Sequence, residues 1–222
     1  MSPEVIISLA IEHADARGIE QVSMRKLAAD LAVTPMALYW HFANRDALLD
    51  AMAEHVVGQL VWKDDPGAPW QERLRAVLTA ILGVFQEHPW LGPLARHRIV
   101  PAPNFLHALE VLLDTVREAG YGRQAAVYVV DFAIDSLATM AAELAGPKQE
   151  SASEGQLEMR KQLLALPGPD YPRIRDAAVP LTAPEAPASY IKLAIDILVG
   201  GIESAAPKGR RRPARRRASL RS

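Results

Sequence analysis

The chain has 222 residues, half of them apolar, 23% charged, and a formal net charge of −1; that is enough for one large domain or two small ones with a sizeable core. It has no cysteine, which excludes disulfides, thiolate nucleophiles and thiolate metal ligands. The opening residues MSPEVIISLAIEHA lack a basic stretch and a small-residue cleavage site, and no apolar run is expected to cross a bilayer, so the chain reads as cytoplasmic, with no membrane partner.

Ser2-Pro3 opens a helix whose buried stripe is expected at Ile6, Leu9, Ala10 and Ala14, with Gly18 closing it. Ser23 is placed to cap a second helix, with Val22 and Leu27 as its hydrophobic staple. Eleven residues on, Thr34 is the expected cap, Pro35 takes the first helical position, and Val33 with Leu38 repeats the staple. Only Ala32-Val33-Thr34 separates the two helices, so they must cross steeply, as in a helix-turn-helix. Asn44 caps a longer helix with Leu48, Leu49, Met52, Val56 and Leu60 inward.

From Trp70 the helices lengthen. Trp70–Phe85 carries Leu74, Val77, Leu78, Ile81 and Leu82 inward, and a proline-interrupted stretch, Trp90–Pro103, follows. Phe105–Ala119 is expected to bury Leu106, Leu109, Leu113 and Val116. Gln124–Leu144 and Ala188–Ala205 are apolar on most faces; they are either central to the core or a subunit interface, where Gly200-Gly201 would allow close helix approach. Between them, residues 146–187 hold seven prolines and one expected helix, Glu154–Leu166, the rest reading as loop. No strand-period segment is found. The fold expected is all-α: a three-helix DNA-binding bundle over 1–62, joined by a long helix to a larger helical domain over 63–206, then a basic tail, 207–222. That tail carries eight bases and no acid; without it, 17 bases face 26 acids, a body of net charge −9. DNA contact must then be local. The tail either adds affinity by counterion release or keeps an acidic protein in solution.

These residues resemble a known family. Gly18, Ser23-Met24-Arg25-Lys26-Leu27-Ala28, Leu31-Ala32-Val33, Leu38-Tyr39-Trp40-His41-Phe42, Asn44-Arg45 and Leu48-Leu49 are similar to the DNA-binding domain of the tetracycline-repressor (TetR) family, with the RKLA, LYWH and ALLDA wording of the tetracycline repressors themselves. The likeness is specific over about the first 60 residues and continues, more loosely, through Arg117–Tyr121 and Ile191–Glu203. It implies a homodimeric regulator, a repressor released from a palindromic operator on double-stranded DNA by a small-molecule effector, without enzymatic activity or cofactor.

In a helix-turn-helix the first residues of the second helix face base edges; here these are Thr34, Pro35, Met36 and Ala37, followed by Tyr39, Trp40 and His41. Close family members have a glutamine and a threonine where this chain has Pro35 and Ala37, so its base-reading set offers mainly apolar contacts, such as to thymine methyls. Arg25 is then the best candidate for a direct contact, to guanine. By resemblance, Ser23, Tyr39, His41 and Arg45 contact phosphates; Ser23 and Arg45 also sit at helix N-termini, which favour an anion. Tyr39 and Trp40 have core packing as their alternative, whereas Leu38 and Phe42 are expected inside.

Effector candidates are His97, Asn104 and His107, beside His88 around the short helix, and Asp131 with Asp135, four apart on one face of an apolar helix. The two acids could line a pocket for a cationic or hydroxylated ligand, or form paired core or interface groups. No metal site is expected. The rival class, a small-molecule-binding protein or enzyme with an incidental helix-turn-helix, finds no glycine-rich phosphate loop, HExxH, G-x-S-x-G or thiol in its favour. A third reading, an architectural DNA binder, would rest on the tail alone.

Overall fold

The computed structural model describes residues 2–95, 103–144, 153–183 and 188–207, and every regular element among them is helical. By compactness the chain forms two units: Met1–Ala142 with Ile195–Ser222, and Glu143–Ala194.

The first unit begins with α1 (Pro3–Arg17), which buries Ile6, Ala10, Ile11 and Ala14 and ends at Gly18 in a positive-φ conformation (φ 85°). Leu9, expected inside, is half-buried. One 3₁₀ turn, Ile19–Gln21, leads to α2 (Met24–Asp30), capped as expected by the Ser23 hydroxyl, which accepts from the Lys26 amide at 3.2 Å. The turn after α2 is closed by two backbone bonds, Val33 N–H to Ala28 O (2.9 Å) and Ala32 N–H to Ala29 O (3.1 Å), around a left-handed Ala32 (φ 55°). This is the Schellman closure, made by alanine where glycine is usual. α3 (Pro35–Tyr39) starts at proline, but the Thr34 side chain makes no capping bond, contrary to expectation; the proline has already removed one of the amides that need a partner. Asn44 caps α4 (Arg45–Gly58) through its side-chain oxygen, 2.8 Å from the Ala47 amide, and Leu48, Leu49, Met52, Val56 and Leu60 are all buried. α1 packs on α2 and α4, and α2 on α3.

The rest of this unit is built on α5 (Trp70–Glu87) packed against α7 (Pro103–Glu118), which also touches α4; the short α6 (Leu91–Ala95) lies between them in sequence. The inward stripe of α7 is rotated from the expected one. It comprises Ala108, Val111, Leu112, Thr115 and Val116, with Leu106 exposed and Leu109 and Leu113 half-buried. Thr115 looks polar in sequence, yet its hydroxyl donates back to the helix carbonyls of Val111 and Leu112 at 2.8 and 2.9 Å, so its methyl face can be buried without an orphaned donor. α8 (Arg123–Leu144) is, against expectation, long and apolar enough to cross a membrane by length and composition. Its Ala126, Val130, Ala133, Leu137, Ala138 and Ala141 are buried, as in a core helix.

Ion pairs tie the connector that precedes α5 to the helices that follow it. Arg73 on α5, 7% exposed, donates to Asp64 in the connector (3.1 Å) and to Asp114 on α7 (3.1 Å), with Glu118 at 3.7 Å. Burial would lower the guanidinium pKa, and the two hydrogen-bonded carboxylates more than offset that, leaving it above its ordinary value. The last helix, α12 (Ala188–Ala205), contributes its buried Ile195, Val199 and Ile202 to this unit. It is held by Arg75 to Asp196 (2.8 Å), Gln71 to Glu203 (2.8 Å) and the Tyr121 hydroxyl donating to Ile202 O (2.8 Å).

The second unit contains α9 (Glu154–Ala165), α10 (Pro172–Asp176) and α11 (Ala178–Leu181). α9 was expected, and Ser153 with Gln156 forms its capping box. The two short helices were expected as loop; Pro172 and Pro180 each fall in a first turn, where proline starts a helix rather than breaking one. Arg160 joins α9 to the end of α11, donating to the Thr182 hydroxyl (2.8 Å) and carbonyl (3.2 Å).

Candidate nucleic-acid interface and effector cavity

The face that α3 and its flanks turn to solvent mixes apolar side chains with the hydroxyls of Thr34 and Tyr39 and the rings of Trp40 and His41. Leu38 and Phe42 point inward and are buried, which leaves Thr34, Pro35, Met36, Tyr39, Trp40 and His41 exposed and Ala37 half-exposed. Trp40 is 84% exposed and Met36 65%, on one face four residues apart. Core packing is therefore not the role of Trp40, nor of the 46%-exposed Tyr39. Arg25, on the second residue of α2, is exposed and takes part in no hydrogen bond or ion pair with the described residues.

Two expected phosphate contacts have other work. Arg45, at the first position of α4, donates Nε to Val22 O (2.8 Å) and Nη2 to Ile19 O (2.6 Å), tying α4 to the segment between α1 and α2. Its guanidinium is thus chiefly a structural clamp, and only its remaining N–H groups could reach an anion. Ser23 spends an acceptor lone pair on its cap, which leaves the hydroxyl proton for an outside acceptor. His41 lies near Glu4, whose carboxyl is held below the usual range by a backbone hydrogen bond, by Ser2 and, more weakly, by the charge of His41.

An apolar cavity lies behind this bundle, in the same unit, counting about 570 Å³ with the part open to solvent. α4 supplies Val57, the connector after it Leu60, α5 Ile81, Val84 and Phe85, and α6 Leu91. The far side is Phe105, Ala108, Leu109 and Leu112 of α7 with Ile134 of α8. None of the described residues expected at an effector site lines it. The Asn104 side chain donates to Gly58 O at the end of α4, and His107 stacks on Trp62 (ring centroids 5.1 Å apart, 24° between planes). Asp131 is exposed and Asp135 half-buried, and neither reaches the cavity. His97 lies outside the described residues, as does the arginine tail beyond Pro207. Among the described residues no three His, Asp or Glu side chains group as a metal site.

The α6 wall is fixed on two sides. Gly92 packs so closely on α8 that an added Cβ would lie 2.8 Å from the Ala138 Cβ. Asp15 of α1 accepts from Trp90 Nε1 at 2.7 Å and meets His88 Nδ1 at 2.9 Å. The residues flanking Leu91 are thereby joined both to α8 and to the first helix of the DNA-binding bundle, a pairing that no local sequence signal announces.

Comparison with known proteins agrees with this geometry. Residues 6–52 match the family of bacterial regulatory proteins of the tetR type, and residues 64–205 match the tetracyclin repressor-like C-terminal domain. An HTH-type transcriptional regulator of Saccharopolyspora erythraea is 33% identical over 123 residues, covering 55% of this chain and 52% of that protein. The HTH-type transcriptional repressor DrrR1 of Streptomyces coeruleorubidus is 31% identical over 116 residues, 52% of this chain and 43% of its own length. The matched region thus spans about half the length of these curated relatives. The TetR family protein ActR of Streptomyces coelicolor, solved in complex with actinorhodin, shares the fold with a TM-score of 0.76 at 24% identity, covering 94% of this chain and 99% of that one. With family models spanning both its DNA-binding and its C-terminal regions, the chain belongs to the TetR family of bacterial transcriptional regulators.

Proposed function

We propose that this protein is a homodimeric repressor that binds a palindromic operator and leaves it when a small molecule fills the cavity between α4, α5, α6, α7 and α8. The observation that carries this reading is the double use of α4. Its last turn supplies Val57 to the cavity wall, with Leu60 just beyond its end, while Arg45 at its first position is hydrogen-bonded into the segment that leads to the helix-turn-helix. A ligand that binds better when α4 is displaced shifts the population away from the DNA-binding state.

Exposed apolar surface supports the homodimer in this reading. α8 leaves Val127, Tyr128 and Phe132 exposed, α12 leaves Ile197 exposed, and Gly200 and Gly201 face open space. Those surfaces suit a second copy contributing the same two helices. Two recognition helices then address half-sites about one DNA turn, roughly 10 bp, or a multiple apart. Arg25 is assigned to a guanine edge, Thr34, Pro35, Met36, Ala37 and Trp40 to the groove floor, and Ser23, Tyr39 and His41 to phosphates. The reading requires no cofactor, catalytic step or membrane, and it divides the chain into residues 1–62 for DNA, 63–206 for pairing and sensing, and a basic tail.

A gel-shift titration on a palindrome next to the protein's own gene is the test. Arg25→Ala and Tyr39→Ala are each expected to weaken binding about tenfold or more, the size of one lost base or phosphate contact. Unchanged affinity in both variants refutes the assignment.

A further inference from the structure

We propose that the ligand of the α4–α8 cavity is an uncharged, predominantly apolar molecule, held without a metal ion; this rests on the reading of that cavity as the effector site. Every described side chain on its wall is a hydrocarbon, from Val57 on α4 to Ile134 on α8, with no hydroxyl, amide or charge among them.

Three polar side chains close in sequence to that wall are engaged elsewhere. The Asn104 side chain, one residue from the lining Phe105, is bonded to Gly58 O. The His107 ring, one residue from the lining Ala108, is stacked on Trp62. The Thr115 hydroxyl is turned onto its own helix. An ionised ligand would shed its water and meet no counter-charge, which costs far more than apolar contact returns. A charged metal chelate meets the same obstacle, since the described side chains of the wall offer it neither a ligand atom nor a counter-charge. The Phe85 and Phe105 rings offer edges and faces to a ligand ring, at the 4.5–7 Å centroid spacing that aromatic pairs favour.

Fluorescence titration of the full-length protein with Nile red, a neutral apolar dye, is expected to saturate at one site per chain, unchanged by EDTA or added Mg²⁺. In competition with the dye, 1-methylnaphthalene is expected to displace it at concentrations about 100-fold or more below those needed for 1-naphthoate, which has the same ring and an ionised carboxylate. Ala108→Phe, which fills the cavity from α7, is expected to lower dye affinity at least about tenfold. If that variant fails to fold by circular dichroism, Leu109→Phe, at a half-buried wall position, serves in its place. The proposal is overturned if 1-naphthoate competes as well as 1-methylnaphthalene, if binding needs a divalent cation, or if the folded wall variant binds the dye like the parent. Operator binding by the same ligand-free preparation is measured separately, so failure of the regulator reading shows there and failure of the ligand class shows only in the competition.

Discussion

Ala32 holds a left-handed backbone that a side chain makes costly, by roughly 1 kcal/mol for an isolated residue. Ala32→Gly is therefore expected to raise stability by about 0.5–1 kcal/mol, seen as a melting temperature a few degrees higher. Operator affinity should not change, because the turn keeps its two closing hydrogen bonds. Opposite behaviour is expected at Trp40, where so exposed a ring adds little to folding. Trp40→Ala should leave the melting curve within about 0.5 kcal/mol of the parent while weakening DNA binding in a gel shift. Residues of this kind were legible in sequence when their role was local. The Ser23 and Asn44 caps and the inward Leu38 followed from spacing alone. Arg45 did not, since its partners, the carbonyls of Ile19 and Val22, lie more than twenty residues away and only folding brings them within reach.

Among the elements, the ties around α5 and α12 carry the most testable energetics. Arg73→Ala is expected to cost about 2–3 kcal/mol in urea unfolding. That is less than the loss of one partner of a fully buried pair, because Asp114 and Glu118 remain half exposed to water. The Tyr121 phenol is pushed above its ordinary pKa by burial and donates to Ile202 O. Its folded form therefore holds the proton more tightly than the unfolded chain. The stability this group contributes is fully present below the unfolded pKa, near 10, and is lost as pH rises past it. Tyr121→Phe should lose about 1 kcal/mol at neutral pH and show a shallower alkaline decline, as followed by thermal melts from pH 8 to 11. The α7 stripe shows why element faces are harder to read than element positions. Leu106, Leu109 and Leu113 drew the expected face toward themselves, but the helix turns Ala108 and Thr115 inward, a small residue and a self-satisfied hydroxyl that hydrophobic periodicity undercounts.

For the whole molecule, the fold class and the helix-turn-helix were plain from capping and periodicity, whereas the cavity was not. Its wall is ordinary core aliphatic material drawn from five helices, and polarity drew attention instead to Asn104, His107 and Asp131, which serve elsewhere or face solvent. The proposed dimer makes its prediction at this scale. Phe132→Arg or Ile197→Lys, each at an exposed apolar position, should leave the monomer folded but halve the mass seen by light scattering and weaken operator binding steeply. The four tryptophans offer a way to observe both ends of such a device. Trp40 stands in water on the recognition helix, Trp90 is buried beside the cavity residue Leu91, and Trp62 and Trp70 are half-buried. A water-borne quencher such as iodide should therefore extinguish Trp40 emission first and spare Trp90. In one unlabelled sample, the quenchable light would report on DNA and the protected light on the effector.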